Sequence, residues 1–133
     1  MEIETIKGIN IRRPKAYLYA AYDLPLLIGK LKQSHSWARG ELNNMILLNS
    51  PEKQIVLTAL HEKTEVESFQ ESDSISFQII EGELRFSTRQ ESLHLKQGQL
   101  LTLSEKVKYS FTADEETVLL LTISNFTAKG ADS

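Results

Sequence analysis

The chain has 133 residues, 41% of them hydrophobic and 25% charged, with fifteen basic against eighteen acidic side chains and a formal charge of −3. That length suits one domain able to bury roughly two-thirds of its unfolded surface. The charge balance offers no basic footprint for nucleic acid. No apolar run of about 18 residues is present to cross a membrane, and the absence of cysteine removes disulfides, thiolate metal sites and a cysteine nucleophile.

The opening residues, MEIETIKGINIRRPK, lack the apolar core of a signal peptide, so a cytoplasmic setting is the expectation. Ile3, Ile6, Ile9 and Ile11 read as a short edge strand or extended arm, broken at Arg12-Arg13-Pro14. Tyr17, Tyr19 and Tyr22 follow in an alanine-containing stretch of ambiguous structure. From Asp23 the period changes. Leu24, Leu27, Ile28 and Leu31 fall at i, i+3, i+4 and i+7, one apolar stripe of a helix. Asp23 suits the N-cap, Pro25 the first turn, and Lys30 and Lys32 the C-terminal end, with His35 placed there as a dipole partner. This is the one helix expected, packed on the side or mouth of the remaining structure. Ser34 to Asn44 reads as a loop anchored by Trp37.

Strands then follow in quick succession. Met45–Leu48 and Gln54–Leu60 flank the turn Asn49-Ser50-Pro51-Glu52. Glu71 to Ser74 forms another polar turn. Ile75, Phe77 and Ile79 alternate with Ser76 and Gln78, and Glu81-Gly82 reads as a tight hairpin turn into Leu84 and Phe86. Leu93 and Leu95, Leu101 to Leu103, Tyr109 to Phe111 and Thr117 to Ile123 complete the set. Short strands with turns every six to twelve residues argue an all-β sandwich or barrel. Three parts are expected: residues 1–44 as arm, helix and loop packing on the barrel, 45–126 as the barrel, and 127–133 as a polar tail.

The stretch from about Gln54 to Ile123 resembles the cupins, small jelly-roll β-barrels. Their second motif runs Gly, five residues, Pro-x-Gly, two residues, His, three residues, Asn. From Gly98 that frame reaches Ser104, Lys106, Tyr109 and Ala113, so only its first glycine matches by type. The first motif, Gly, five residues, His-x-His, three or four residues, Glu, six residues, Gly, is anchored on Gly82 and puts Ile75 at the carboxylate position. Its two histidine positions fall on Phe69 and Glu71, or on Ser68 and Gln70, according to the variable gap. The fifteen residues between Gly82 and Gly98 agree with the shortest intermotif distance common in that family. The resemblance implies an all-β, cupin-like jelly-roll β-barrel with one N-terminal α-helix, and a homodimer.

The family's metal chemistry needs three imidazole nitrogens and a carboxylate around one divalent ion, with positions left open for substrate. Ile75 has no lone pair, Tyr109 stands at the last histidine position, and neither gap supplies a histidine pair. At most Glu71 and Tyr109 would offer two oxygens. No metal and no other cofactor is therefore expected. His35, His61 and His94 lack ligand-like spacing, and His94 alternates away from Leu93 and Leu95. Neither a nucleophile elbow nor a phosphate-cradling glycine loop is present.

If Ile75 keeps the inward direction of the carboxylate it replaces, Phe77, Ile79 and Phe86 line the interior with it. Phe69 joins them in the three-residue register, and Tyr109 adds a hydroxyl. Phe69, Glu71, Ile75, Phe77, Phe86 and Tyr109 are thus the candidate ligand-binding residues. The same apolar set also describes a filled small-barrel core. The function expected is a non-metal barrel that binds a small molecule or serves as an accessory protein. The alternatives are a metal-independent sugar epimerase or isomerase with Tyr109 as acid, and a metal-dependent oxygenase.

Overall fold

The computed structural model describes residues 20–125 and the backbone of two N-terminal strands. Those strands, β1 (Glu2–Ile6) and β2 (Ile9–Arg13), pair antiparallel in a sheet of their own, with Ile6 opposite Ile9. The single edge strand or arm expected here is a two-stranded ribbon, in which each half supplies the other's backbone hydrogen bonds. Tyr17, Tyr19 and the polar tail from residue 127 lie outside the described residues.

Helix α1 spans Leu24–Leu31, with Asp23 accepting from the Leu26 N–H at 3.2 Å and Pro25 in its first turn. Its buried side chains are Leu27, Ile28 and Leu31, three of the four residues in the predicted stripe. A second helix, α2 (His35–Ala38), occupies part of the expected loop. Ser34 caps it by accepting from the Trp37 N–H at 3.2 Å. One turn is too short to show a 3.6-residue period, which is why the sequence pattern hides it. His35 consequently opens α2 instead of closing α1, whose C-cap is Lys32.

The remaining strands are β3 (Asn43–Asn49), β4 (Lys53–Leu60), β5 (Glu65–Phe69), β6 (Ser74–Glu81), β7 (Glu83–Ser87), β8 (Ser92–Lys96), β9 (Leu100–Leu103), β10 (Lys108–Ala113) and β11 (Thr117–Ser124). They form a five-stranded sheet, β3-β4-β11-β6-β9, facing a four-stranded one, β5-β10-β7-β8, with all pairings antiparallel. Among β3 to β11, only β3–β4 and β7–β8 are sequential hairpins; the other successive strands from β4 to β11 change sheet. Gly82 is therefore not a hairpin turn, because β6 and β7 lie in different sheets. Its φ of +89° makes a sharp corner, and an added Cβ there would sit 2.3 Å from the Glu116 carbonyl oxygen. Both the backbone region and the close approach require glycine.

Two apolar layers result. Between the sheets lie Leu60, Ile75, Phe77, Ile79, Leu84, Phe86, Leu95, Tyr109, Phe111, Ala113 and Leu119. On the outer face of the five-stranded sheet, Leu27, Ile28, Leu31 and Trp37 pack on Leu57, Ala59 and Val118. Each fully buried leucine contributes about 1.5–3 kcal/mol. β4 and β11 are covered on both faces, so their sequences read as continuous apolar runs. Lys32 ties α1 to the sheet by reaching Glu81 at 3.0 Å and Glu116 at 2.7 Å. The Trp37 ring stacks on His61 at 3.5 Å, and His61 Nε2 lies 2.9 Å from the Trp37 carbonyl, which makes this histidine a packing residue. No helix among the described residues is long and apolar enough to cross a membrane.

Candidate functional site

Strand alternation decides which gap of the first motif applies. On β10, Tyr109 points into the barrel and is 6% exposed. Its cross-strand partner on β5 is Ser68, while Phe69 sits opposite Lys108. Directly paired residues share a face, so Ser68 lies on the same side as Tyr109 and Phe69 turns outward. Phe69 is 54% exposed accordingly. This one-residue parity turns Phe69 away from the barrel interior, where it was expected, but leaves it on the border of the cleft at Ser68 and Gln70. Glu71 is exposed too, at the edge of a cleft. The four-residue gap therefore fits the geometry.

Ser68, Gln70, Ile75 and Tyr109 meet at one cleft of about 310 Å³, which Phe69, Glu71, Ile123 and Asn125 also border. The metal-ligand positions of the cupin pattern thus converge in space, but their chemistry has changed. Gln70 is 3% exposed and its amide is fully engaged. Nε2 donates to the Ser72 carbonyl at 2.9 Å and to the Leu103 carbonyl at 3.4 Å. Oε1 accepts from the Ser72 N–H at 3.2 Å and the Ser72 hydroxyl at 2.6 Å. Its backbone N–H donates to Val107 at 2.8 Å. The residue is a clip that joins the end of β5 to the loops before β6 and β10. A side chain so occupied cannot also orient toward an ion. Ile75 offers no donor atom and Ser68 a neutral hydroxyl. The donor set does not fit a divalent metal. Among the described residues, no group of three or more His, Cys, Asp or Glu side chains is placed to hold one.

The interior beside these positions is filled by rings. Phe77 lies 5.5 Å from Tyr109, 5.9 Å from Phe86 and 6.0 Å from Phe111, centroid to centroid. Tyr109 stacks on Phe86 at 5.5 Å and on Phe111 at 6.2 Å. Ile75, Phe77 and Phe86 are 5%, 2% and 4% exposed. These three candidates are core, and their contribution to a site is the wall behind Tyr109. The Tyr109 ring belongs to that core while its hydroxyl does not: it has no hydrogen-bond partner among the described residues, and no buried polar side-chain atom there is left unsatisfied. The hydroxyl therefore meets solvent at the cleft. Tyr109 also borders a second opening of about 290 Å³ between β3 and β5, with Leu42, Asn44, Thr58 and Val66.

The histidines stay apart from this cleft. His94 lies on the outer face of the four-stranded sheet, 3.2 Å from Asp114 and 3.9 Å from Glu83, and Arg85 pairs with Asp114 at 2.9 Å. Sequence reasoning passed over β5 as a strand and Gln70 as its terminal clip. The alternation Glu65, Val66, Glu67, Ser68, Phe69 carries only one inward apolar residue, too little for a hydrophobic pattern to show.

No family model matches this sequence, and no curated protein sequence matches it. Structural similarity is extensive. A cupin superfamily protein from Desulfitobacterium hafniense aligns with a TM-score of 0.61 at 16% identity, covering 64% of this chain and 78% of its own. The Cnp3 cupin domain of Schizosaccharomyces pombe gives 0.61 at 16% identity, over 68% and 66% of the two chains. A Klebsiella pneumoniae protein with a double-stranded β-helix domain gives 0.59 at 16% identity, over 67% and 81%. At such identities the likeness speaks for architecture alone. Joined with the sheet order and the convergence of the motif positions, it identifies this chain as a protein of the cupin fold.

Proposed function

We propose that this protein is a non-metal cupin-fold barrel that binds a small molecule at its mouth or serves as an accessory protein, as a homodimer. One observation carries the reading: the Tyr109 hydroxyl, unpaired among the described residues, stands at a cleft whose other former ligand positions are serine, isoleucine and an engaged glutamine. The phenol supplies one directional hydrogen bond, while Ile75 and Ile123 offer apolar surface to the rest of a ligand. Because rings fill the interior, the ligand sits at the rim and not in the barrel's centre. The epimerase-type alternative has a phenol as acid but no imidazole at the cleft to act as base. The oxygenase alternative lacks the donor set.

A thermal-shift screen of small metabolites against the wild type and Tyr109→Phe tests the site. A ligand that raises the wild-type melting temperature and loses most of that effect in the variant supports it. A ligand that stabilises both equally removes the hydroxyl from the site. Sedimentation velocity tests the dimer, with a monomer at tens of micromolar refuting it.

A further inference from the structure

A second cleft lies outside the barrel, on the face of the four-stranded sheet turned away from the core. It measures about 310 Å³ and is lined by Glu67, Ser87, Thr88, Arg89, Lys108 and Ser110, with Tyr109 at its base. Its floor is one cross-strand row. Ser110 pairs with Glu67 on β5 and with Ser87 on β7, and Ser87 pairs with Ser92 on β8. Small hydroxyls there leave the sheet surface low, where larger side chains would fill it. The Ser87 and Ser92 hydroxyls bond each other at 3.1 Å, whereas the Ser110 hydroxyl has no partner among the described residues.

The wall of this cleft is the β7–β8 turn, and it is built rigidly. Thr88 N–H donates to the Glu91 carbonyl at 2.8 Å, and the Thr88 hydroxyl accepts from the Gln90 and Glu91 N–H groups at 3.3 and 3.4 Å. That turn holds Arg89 at the cleft edge. A neighbouring cleft of about 510 Å³ shares Thr88 and Arg89 and adds Lys106 and Glu105. Arg89 and Lys108 thus border the first cleft, and Arg89 and Lys106 the adjoining one, with Glu67 and Glu105 as the acidic residues lining them. None of the three has a carboxylate within 4.0 Å among the described residues, although Lys32, Arg39 and Arg85 each do. On a chain of net charge −3, three cations without an ion-pair partner among the described residues, set against Glu67 and Glu105 and beside the unpartnered Ser110 hydroxyl, leave a net positive local charge.

We infer that this depression binds the oxyanion of a small molecule, a phosphate or carboxylate group. Arg89 supplies a planar donor fork, Lys108 a point charge, and Ser110 and Thr88 neutral hydroxyls. Glu67, also unpaired, is placed to accept from a hydroxyl of the same molecule and disfavours a second anionic group beside it. This site is distinct from the cleft at Ser68 and Gln70 and does not depend on it.

The test is an amide chemical-shift titration of the isotope-labelled protein with inorganic phosphate, and separately with acetate, at constant ionic strength set by sodium chloride. Saturable shifts confined to Ser87–Arg89 and Lys108–Ser110, at least tenfold weaker in Arg89→Ala/Lys108→Ala, are expected. Response to phosphate alone assigns a phosphate group, and response to both anions a general oxyanion site. Both replaced side chains are exposed, and the variant's own spectrum reports its fold. No saturable shift with either anion, shifts spread over the whole chain, or a double variant that titrates like the wild type would overturn the inference.

Discussion

Tyr109 separates two roles within one side chain, and a pair of substitutions pulls them apart. Tyr109→Phe removes only the hydroxyl. Since that group has no partner among the described residues and meets solvent, its loss orphans no donor or acceptor. The expected change in unfolding free energy is within about 0.5 kcal/mol, against the 1–3 kcal/mol typical when a buried hydrogen bond is broken. Tyr109→Ala removes the ring as well. That ring touches Phe77 and Phe86 at 5.5 Å and Phe111 at 6.2 Å, and the side chain is 6% exposed. A cavity among three aromatic neighbours costs about 3–5 kcal/mol, the range for aromatic-to-alanine changes in cores. Urea unfolding followed by near-ultraviolet circular dichroism, with slopes compared among the three proteins, reads both numbers. A loss above about 1 kcal/mol in Tyr109→Phe would mean that the hydroxyl is bonded internally, and the rim-site argument would fail. An alanine variant as stable as the wild type would show that the rings do not fill the barrel.

Three further outcomes follow from the same structure. Gly82→Ala and Gly98→Ala share a φ near +89°, costing about 1–2 kcal/mol each. Only Gly82 also places its new methyl against Glu116 and Thr117, so it should lose at least about 1 kcal/mol more in urea unfolding; equal losses would contradict the close approach. Gln70→Ala leaves the Leu103 carbonyl and Ser72 without their buried partner and should cost about 1–3 kcal/mol, with faster amide exchange at Ser72 and at residue 70 itself. A neutral effect there would refute the clip. Burial works to lower the Lys32 pKa, but hydrogen bonds and attraction from Glu116 and Glu81 outweigh it, holding the ammonium above its ordinary 10.5. A raised folded-state value stabilises the fold below that pH, and the contribution disappears as pH climbs through the folded value. As pH rises above the ordinary 10.5, Lys32→Met should therefore lose less stability than the wild type, by no more than about 1 kcal/mol for partners this exposed; parallel pH profiles would deny the bridge.

Much of the architecture was legible because jelly-roll strands leave a strong signal where one face is wet. Ile75, Phe77 and Ile79 alternate cleanly, and they lie in the core as the pattern requires. The α1 stripe was equally plain, since its apolar side meets Leu57 and Val118 while the other side meets water. What escaped was local in another way. β5 carries Glu65 and Glu67 outward and only Val66 and Ser68 inward, so hydrophobicity could not set its parity; pairing with β10 did. Of the two registers the variable gap left open, that parity favours Ser68 and Gln70 over Phe69 and Glu71. Gly82 showed a turn in the sequence, but not that the turn crosses between sheets, because sheet membership depends on partners far along the chain. Of the candidate site, Tyr109 was visible as an anomaly of type, whereas the engagement of Gln70 rests on Ser72 and Leu103, which no spacing rule links to it.

We propose above all that the converged ligand positions hold no metal. Elemental analysis of protein purified without a histidine tag addresses it directly, after equilibration with manganese, iron, nickel and zinc in turn and exhaustive buffer exchange. Serine, an engaged glutamine, isoleucine and a phenol predict retained metal far below one ion per chain for every cation. A stoichiometric ion that is retained by the wild type and lost in Tyr109→Phe would contradict the account at its centre.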